Sequence, residues 1–158
     1  MRRMAVLVAL LSLGCGYRTN FTMPEGIKTY AVKVFKNDTL YQNADFEFTQ
    51  ELFREMNAKT PLKVAESADA DLIISGSVAT YQRRVLREAW EDQVAEYQLV
   101  IGVNVKFEKK DGTVLYEGKN IQRAANYSIT RGRTERWARD QVMSELARKV
   151  VSLAFERW

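Results

Sequence analysis

The 158-residue sequence contains no histidine, one cysteine, two prolines and eight glycines. Without histidine there is no Ser-His or Cys-His nucleophile pair, and the commonest metal ligand is missing, so most hydrolase and metal-centre plans are excluded. A single cysteine leaves no partner for an internal disulfide, and stability must come from packing. The apolar run Met4 to Leu13 is ten residues, broken only by Ser12. That is half the ~20 residues needed to cross a bilayer as a helix. Neither sign of charge dominates: 24 Lys and Arg face 20 Asp and Glu, a balance that gives no indication of nucleic acid. Carboxylate neighbours such as Glu91 with Asp92, or Asp69 with Asp71, read as solvated surface groups. No catalytic residue, metal site or cofactor is expected.

What is present begins with a leader. Arg2 and Arg3 precede the apolar run, and Gly14 places a small residue just before Cys15, which is the layout of a secretory signal. Leu11-Ser12-Leu13-Gly14-Cys15 resembles the bacterial lipobox, with Ser12 where lipoboxes usually carry leucine. The resemblance implies cleavage before Cys15 and lipidation of Cys15. Two hydrophobic signals already suffice for stable anchoring, so the expected product is tethered to a membrane. Gly16 after Cys15, in place of aspartate, implies the outer membrane. The chain then divides into a signal peptide (1–14), a lipidated tether (15–26) and one domain (27–158). Losing Arg2 and Arg3 from the 24 basic residues leaves 22 against 20 acidic ones.

Along the domain, Tyr30, Val32 and Val34 alternate with Ala31, Lys33 and Phe35, which predicts a first strand over 27–35. Phe48, Leu52, Phe53 and Met56 share a helical face and predict a helix over 44–59, capped by Asn43 or Asp45 and ended before Pro61. Phe46, Phe48 and Phe53 are expected in the core. A second strand runs from Leu72 to about Val85, with Gly76 marking a bulge or a close backbone approach. Tyr97 to Phe107 alternates most clearly. Asp111-Gly112 predicts a two-residue hairpin turn into a fourth strand over 114–121. Val142, Met143, Leu146, Val150, Leu153 and Ala154 predict a last helix from about Glu135. The order β-α-β-β-β-α gives an α+β two-layer sandwich, with a mixed four-stranded sheet covered on one face by two helices.

Val34-Phe35-Lys36-Asn37-Asp38-Thr39, between a strand and an amphipathic helix, resembles a stretch of the LptE family of lipopolysaccharide-assembly lipoproteins. Cys15-Gly16-Tyr17, Ala68-Asp69-Ala70-Asp71-Leu72 and Glu96-Tyr97-Gln98-Leu99 extend that resemblance over nearly all the mature chain. It implies a non-enzymatic outer-membrane protein that plugs a β-barrel lipopolysaccharide translocon and assists lipopolysaccharide insertion, with no nucleic-acid partner. The lumens of such barrels are polar and often plugged.

Lipopolysaccharide presents phosphates and acyl chains, so its binding calls for cations beside apolar surface. Two clusters qualify as candidate lipopolysaccharide- or partner-binding residues. Arg83, Arg84 and Arg87 lie with Trp90 at the end of the second strand and its loop, where Glu88, Glu91 and Asp92 also lie. Arg131, Arg133, Arg136 and Arg139 gather at the start of the last helix, where positive charge opposes the helix dipole. Arginine suits phosphate because its planar fork donates parallel hydrogen bonds. The competing reading is a regulatory lipoprotein that activates a peptidoglycan synthase of the penicillin-binding type. It needs a longer reach than the roughly 35 Å that ten extended residues provide.

Overall fold

A computed structural model describes residues 25–87 and 96–155. The leader, Cys15, most of the tether, and Glu88, Trp90, Glu91 and Asp92 lie outside the described residues. The elements are β1 (Thr29–Val32), β2 (Lys36–Asn37), α1 (Ala44–Lys59), β3 (Lys63–Val64), β4 (Leu72–Arg87), β5 (Glu96–Lys109), β6 (Val114–Tyr127), a 3-10 turn (Ile129–Arg131) and α2 (Glu135–Phe155). The sheet runs β3-β1-β4-β5-β6, with β2 pairing β4 beyond the end of β1. β1, β2 and β3 pair in parallel, whereas β4, β5 and β6 form an antiparallel meander. The α+β class and mixed sheet match the expectation, with six strands in place of four.

The predicted first strand is two strands, and the reason is parity. Tyr30 and Phe35 are both buried in the core, five residues apart, which an unbroken period-two strand cannot achieve. The chain therefore turns at Lys33-Val34-Phe35, leaving Val34 exposed, and rejoins β4 as Lys36↔Ser77. Phe35 packs edge-on against Phe48 with ring centroids 5.0 Å apart. Its ring crosses β4 at Gly76, where an added Cβ would stand 2.6 Å from Phe35 Cε1 and 2.1 Å from the carbonyl oxygen of Asn104. Of the two expected reasons for Gly76, close approach is the one that applies.

The turn after β2 is built by the Asn37-Asp38-Thr39 stretch. Asn37 Oδ1 accepts hydrogen bonds from Thr39 N (3.0 Å) and Thr39 Oγ1 (2.7 Å), while Asn37 Nδ2 donates to the Tyr41 carbonyl (2.7 Å). Phe35 N donates to Thr49 Oγ1 at 3.1 Å, which ties the same segment to α1.

α1 buries Ala44, Phe48, Leu52 and Met56, a single stripe at four-residue spacing. Phe46 and Phe53 are 54% and 39% exposed, so their expected place in the core is corrected. They flank the stripe, and Phe53 reaches only the margin of Tyr30, 6.2 Å away. Asn43 caps nothing with its side chain; it adopts a left-handed φ of 65°, which asparagine tolerates, and turns the chain into the helix. α2 starts at Glu135 as expected and packs on β5, β6 and α1 through Ala138, Val142, Leu146 and Val150.

The β5–β6 connection is also corrected. Gly112 has φ 87° but Asp111 does not share the left-handed region. Lys109 N donates to the Thr113 carbonyl and Gly112 N to the Lys109 carbonyl, enclosing a three-residue loop. β6 continues to Tyr127 rather than stopping at Ile121, paired with β5 on both sides of a register shift at Lys119-Asn120.

Asp71, one of the carboxylates read as surface, fastens β1 to the start of β4. Its Oδ2 accepts from Lys28 N, Thr29 N and Thr29 Oγ1, each at 2.9 Å. These bonds, the Lys28 amide foremost and then the Thr29 hydroxyl, hold the carboxyl below its ordinary pKa.

Two outcomes follow. Gly76→Ala must displace either the Asn104 backbone or the Phe35 ring, and should lose about 3 kcal/mol or more in urea unfolding. A depressed folded-state pKa means that Asp71 stabilises the protein above its unfolded value of ~3.9, and that this contribution is lost as pH falls through the folded value. Asp71→Asn should therefore melt below the parent at neutral pH, and thermal scans should show the gap closing under acid conditions.

Candidate partner-binding surface

One end of the sheet is built from the last residues of β4, the first of β5, the last of β6, the 3-10 turn and the first turn of α2. A register shift between Val78 and Thr80 resets the alternation of β4. Tyr81 then packs against the core on the same face as the helices, and Arg83 follows two residues later.

These side chains converge on Glu135. Its Oε1 accepts from Tyr81 Oη at 3.1 Å, and its Oε2 accepts from Tyr127 Oη at 3.2 Å and Arg83 Nη1 at 3.3 Å. Burial, with the negative Glu135 alongside, pushes the Tyr81 hydroxyl well above the ordinary tyrosine range and raises that of Tyr127. The same carboxylate raises Arg83 further. Tyr97 stacks on Tyr127 with centroids 5.3 Å apart, and the Arg83 guanidinium lies 5.7 Å from the Tyr97 centroid. Glu135 stands in the first turn of α2, where a negative charge suits the helix dipole. The unfavourable positive charge expected there is thus offset by the helix's own first residue.

The two arginine clusters, 44 residues apart between Arg87 and Arg131, meet at this end through the Arg83–Glu135 pair. Their members do different things. Arg131 Nη1 lies 3.5 Å from Glu96 Oε1 at the start of β5, and Arg133 sits over the Trp137 ring, 4.6 Å from its centroid. Arg84 Nη2 donates to Gln82 Oε1 at 3.1 Å. Arg87 and Arg136 are exposed with no hydrogen bond or ion pair among the described residues. Arg139 is the internal member, its side chain only 15% exposed. Its Nε lies 3.0 Å from Glu47 Oε2 as a charge contact without an aligned hydrogen bond, and its Nη1 donates to Tyr41 Oη. Tyr41 in turn stacks on Tyr81 at 4.1 Å with the rings 4° from parallel. Burial pushes the Glu47 carboxyl up, and Arg139 pulls it back.

Apolar side chains sit among these cations: Val85, Leu86 and Ile129 are about half exposed or more, and Trp137 is 37% exposed. Tyr81, Tyr97, Tyr127, Glu135 and Trp137 were not singled out from the sequence as site residues. Their signal is positional, since Tyr97 and Tyr127 are partners across β5 and β6. On the opposite sheet face, a trough lined by Lys33, Lys36, Lys106 and Lys119 also escaped the sequence reading. Lys106 is paired with Glu108 at 2.6 Å and Lys119 with Glu117 at 3.4 Å. Chemically, the arginine end can offer guanidinium forks to anions and apolar surface to the hydrocarbon attached to them.

The fold is similar to that of several solved bacterial proteins, two of those described next being named as lipoproteins. A minor lipoprotein from Acinetobacter baumannii aligns with a TM-score of 0.60 and 16% identity, covering 83% of this chain and 95% of that one. An uncharacterized lipoprotein B from Nitrosomonas europaea aligns at 0.62 and 13%, covering 87% and 91%. PelC from Paraburkholderia phytofirmans, solved as a dodecamer, aligns at 0.52 and 17%, covering 82% and 88%. At these identities the likeness shows the fold alone. Among curated proteins none matches the sequence. Residues 27–153 match the family model for LptE, lipopolysaccharide-assembly, which takes in every strand and nearly all of α2. The chain belongs to the LptE family of lipopolysaccharide-assembly lipoproteins.

Proposed function

We propose that this protein is lipid-anchored through Cys15 at the periplasmic face of the outer membrane and plugs the β-barrel lipopolysaccharide translocon. Family membership supports a role in lipopolysaccharide assembly, which in this reading is non-enzymatic. The finer reading rests on the arginine end. There Arg84, Arg87, Arg131, Arg133 and Arg136 are exposed beside Val85, Leu86, Ile129 and Trp137. That pairing of cations with apolar surface suits either the phosphates and acyl chains of lipopolysaccharide or an acidic stretch of a barrel wall. Trp90 stays a proposed partner-binding residue on its sequence position alone, since it lies outside the described residues. Arg139 acts from beneath and the exposed Arg83 from the surface, each tying its element to a glutamate and so holding the helix start and the strand end in place. A polar, mixed-charge exterior suits a water-filled lumen. No observation of the fold or family favours the peptidoglycan-synthase activator.

Affinity purification of the detergent-solubilised protein from its native outer membrane should bring down a large β-barrel in equal amount. A penicillin-binding protein in its place would overturn the reading. The double variant Arg131→Glu with Arg133→Glu should weaken barrel or lipopolysaccharide binding about tenfold or more, since hydrogen bonds to charged groups are involved. Both side chains are exposed, so stability should change by less than about 1 kcal/mol. Unchanged affinity in a pull-down titration would remove these arginines from the interface.

A further inference from the structure

Phe53, expected in the core, instead forms one wall of a groove of about 480 Å³ on the outer flank of α1. Val32 of β1 stands in it as well, and Thr49, Gln50, Arg54 and Asn57 complete the lining. Just beyond, Val64 is 51% exposed on the same side of the sheet, opposite Tyr30. Asn57 Oδ1 accepts from Tyr30 Oη at 3.0 Å, which leaves the Asn57 amide nitrogen, like the whole Gln50 amide, without a partner among the described residues. Apolar side chains with free amides beside them suit an extended peptide, whose side chains meet the first and whose backbone bonds to the second. A hydrocarbon chain would leave those amides unpaired.

The chain itself brings such a peptide to this place. The described residues begin with a turn at Glu25-Gly26, where Gly26 takes φ 85° with no atom within 4 Å of an added Cβ. Glycine is there for its conformation, not for space. A turn directly before β1 sends the preceding residues back along β1. β3 occupies the outer side of β1 at Thr29 and Tyr30, so the returning segment runs outside β3 and antiparallel to it. Counted across the turn from Pro24 and Ile27, Phe21 comes level with Tyr30 and so with Val64. Tyr17, Thr19, Phe21 and Met23 alternate with Arg18, Asn20 and Thr22, the pattern of a half-buried strand. The parity that sets Phe21 opposite Val64 puts it on the side of Phe53.

We propose that the groove beside α1 is the docking site of the chain's own segment 21–23, with Phe21 seated between Phe53 and Val64 and the Gln50 and Asn57 amides bonded to the segment's backbone. Covalent attachment gives this segment an effective concentration that a separate partner lacks. Docking moves the point where the tether leaves the domain from the start of β1 to the flank of α1. Six residues, Cys15 to Asn20, are then left to reach the bilayer, about 20 Å at full extension. A single plug is thus still tethered beside its barrel. Only that last consequence rests on the lipid-anchor and plug readings; the docking does not.

The test uses the intact, detergent-solubilised chain. Arg18 is a tryptic site in the segment that leads to the docked residues. Phe53→Ser removes the groove wall at a partly exposed position, and should speed cleavage after Arg18 about tenfold, because such cleavage follows the population of the open form. Phe46→Ser, equally near the surface but outside the lining, should leave the rate unchanged. Under mild oxidation, Phe21→Cys should join Asn57→Cys within one chain, and should not join Arg148→Cys on the exposed face of α2. The Asn57→Cys single variant controls for Cys15. Equal cleavage rates in the parent and Phe53→Ser would overturn the proposal, as would a Phe21–Asn57 cysteine pair that joins no faster than the Phe21–Arg148 pair. A photo-crosslinker at Phe53 that joins the barrel in native membranes, and not residues 15–24, would assign the groove to the barrel instead. Failure of the barrel to co-purify would overturn the plug reading and leave these results standing.

Discussion

The contact on which the rest of the structure depends is the passage of Phe35 across the backbone of Gly76. Burying that ring forces the break between β1 and β2. The same ring meets Phe48, and its amide is fixed by Thr49, so the contact also sets the height of α1 over the sheet. On the other side of Gly76 the Asn104 carbonyl fills the space a side chain would take, which brings β4 and β5 together at that level. Three elements distant in sequence are positioned by one missing methyl group.

From that point the strands run outward in two directions, and each direction has its own fastening. Toward the β1 start, Asp71 gathers three donors from Lys28 and Thr29 and closes the parallel crossover. Toward the arginine end, Glu135 gathers two tyrosines and Arg83. Both are carboxylates receiving several hydrogen bonds at a place where separate segments meet. A carboxylate suits that task because it only accepts, at two oxygens with about four lone-pair sites. A further link, Glu47–Arg139–Tyr41–Tyr81, joins α1 and α2 to β4. It explains why one arginine of the second cluster is inside rather than on the surface.

The parts of this architecture legible in the sequence are those with a long period. β5 and the two helices repeat their pattern over fourteen to twenty-one residues, so their positions and the antiparallel hairpin were evident. β2 and β3 are two residues each and carry no period at all; they exist because β4 and β1 offer them an edge. The register shifts in β4 and β6 were also invisible, and they matter more. Without the shift after Val78, Tyr81 and Arg83 would face away from the helices and Glu135 would have no donors from β4. Sequence found both arginine clusters but not that they meet, because the meeting is set by those shifts. Asn37 shows the converse: a residue of a resemblance motif whose work proves to be local, holding a turn.

Among the described residues, the arginine end is built on strand ends, a 3-10 turn and the start of α2, with its acidic side chains spent on particular arginines. Glu135 and Glu47 take up the two arginines nearest the core, and the partly exposed Glu96 takes a share of Arg131. Arg84 and Arg87 project from β4, Arg131 from the 3-10 turn, Arg133 from the link after it and Arg136 from the first turn of α2, beside the tyrosine stacks that join these segments. Arg133 is held on the Trp137 ring, which restricts its rotamers while leaving its donors open to solvent. Cations carried in this way lose less conformational entropy on meeting an anion than free side chains do, and rigid support of that kind is what turns a charged surface into a selective one. The acidic residues of this end, Glu135, Glu47 and Glu96, organise the arginines they pair with and leave the others uncancelled.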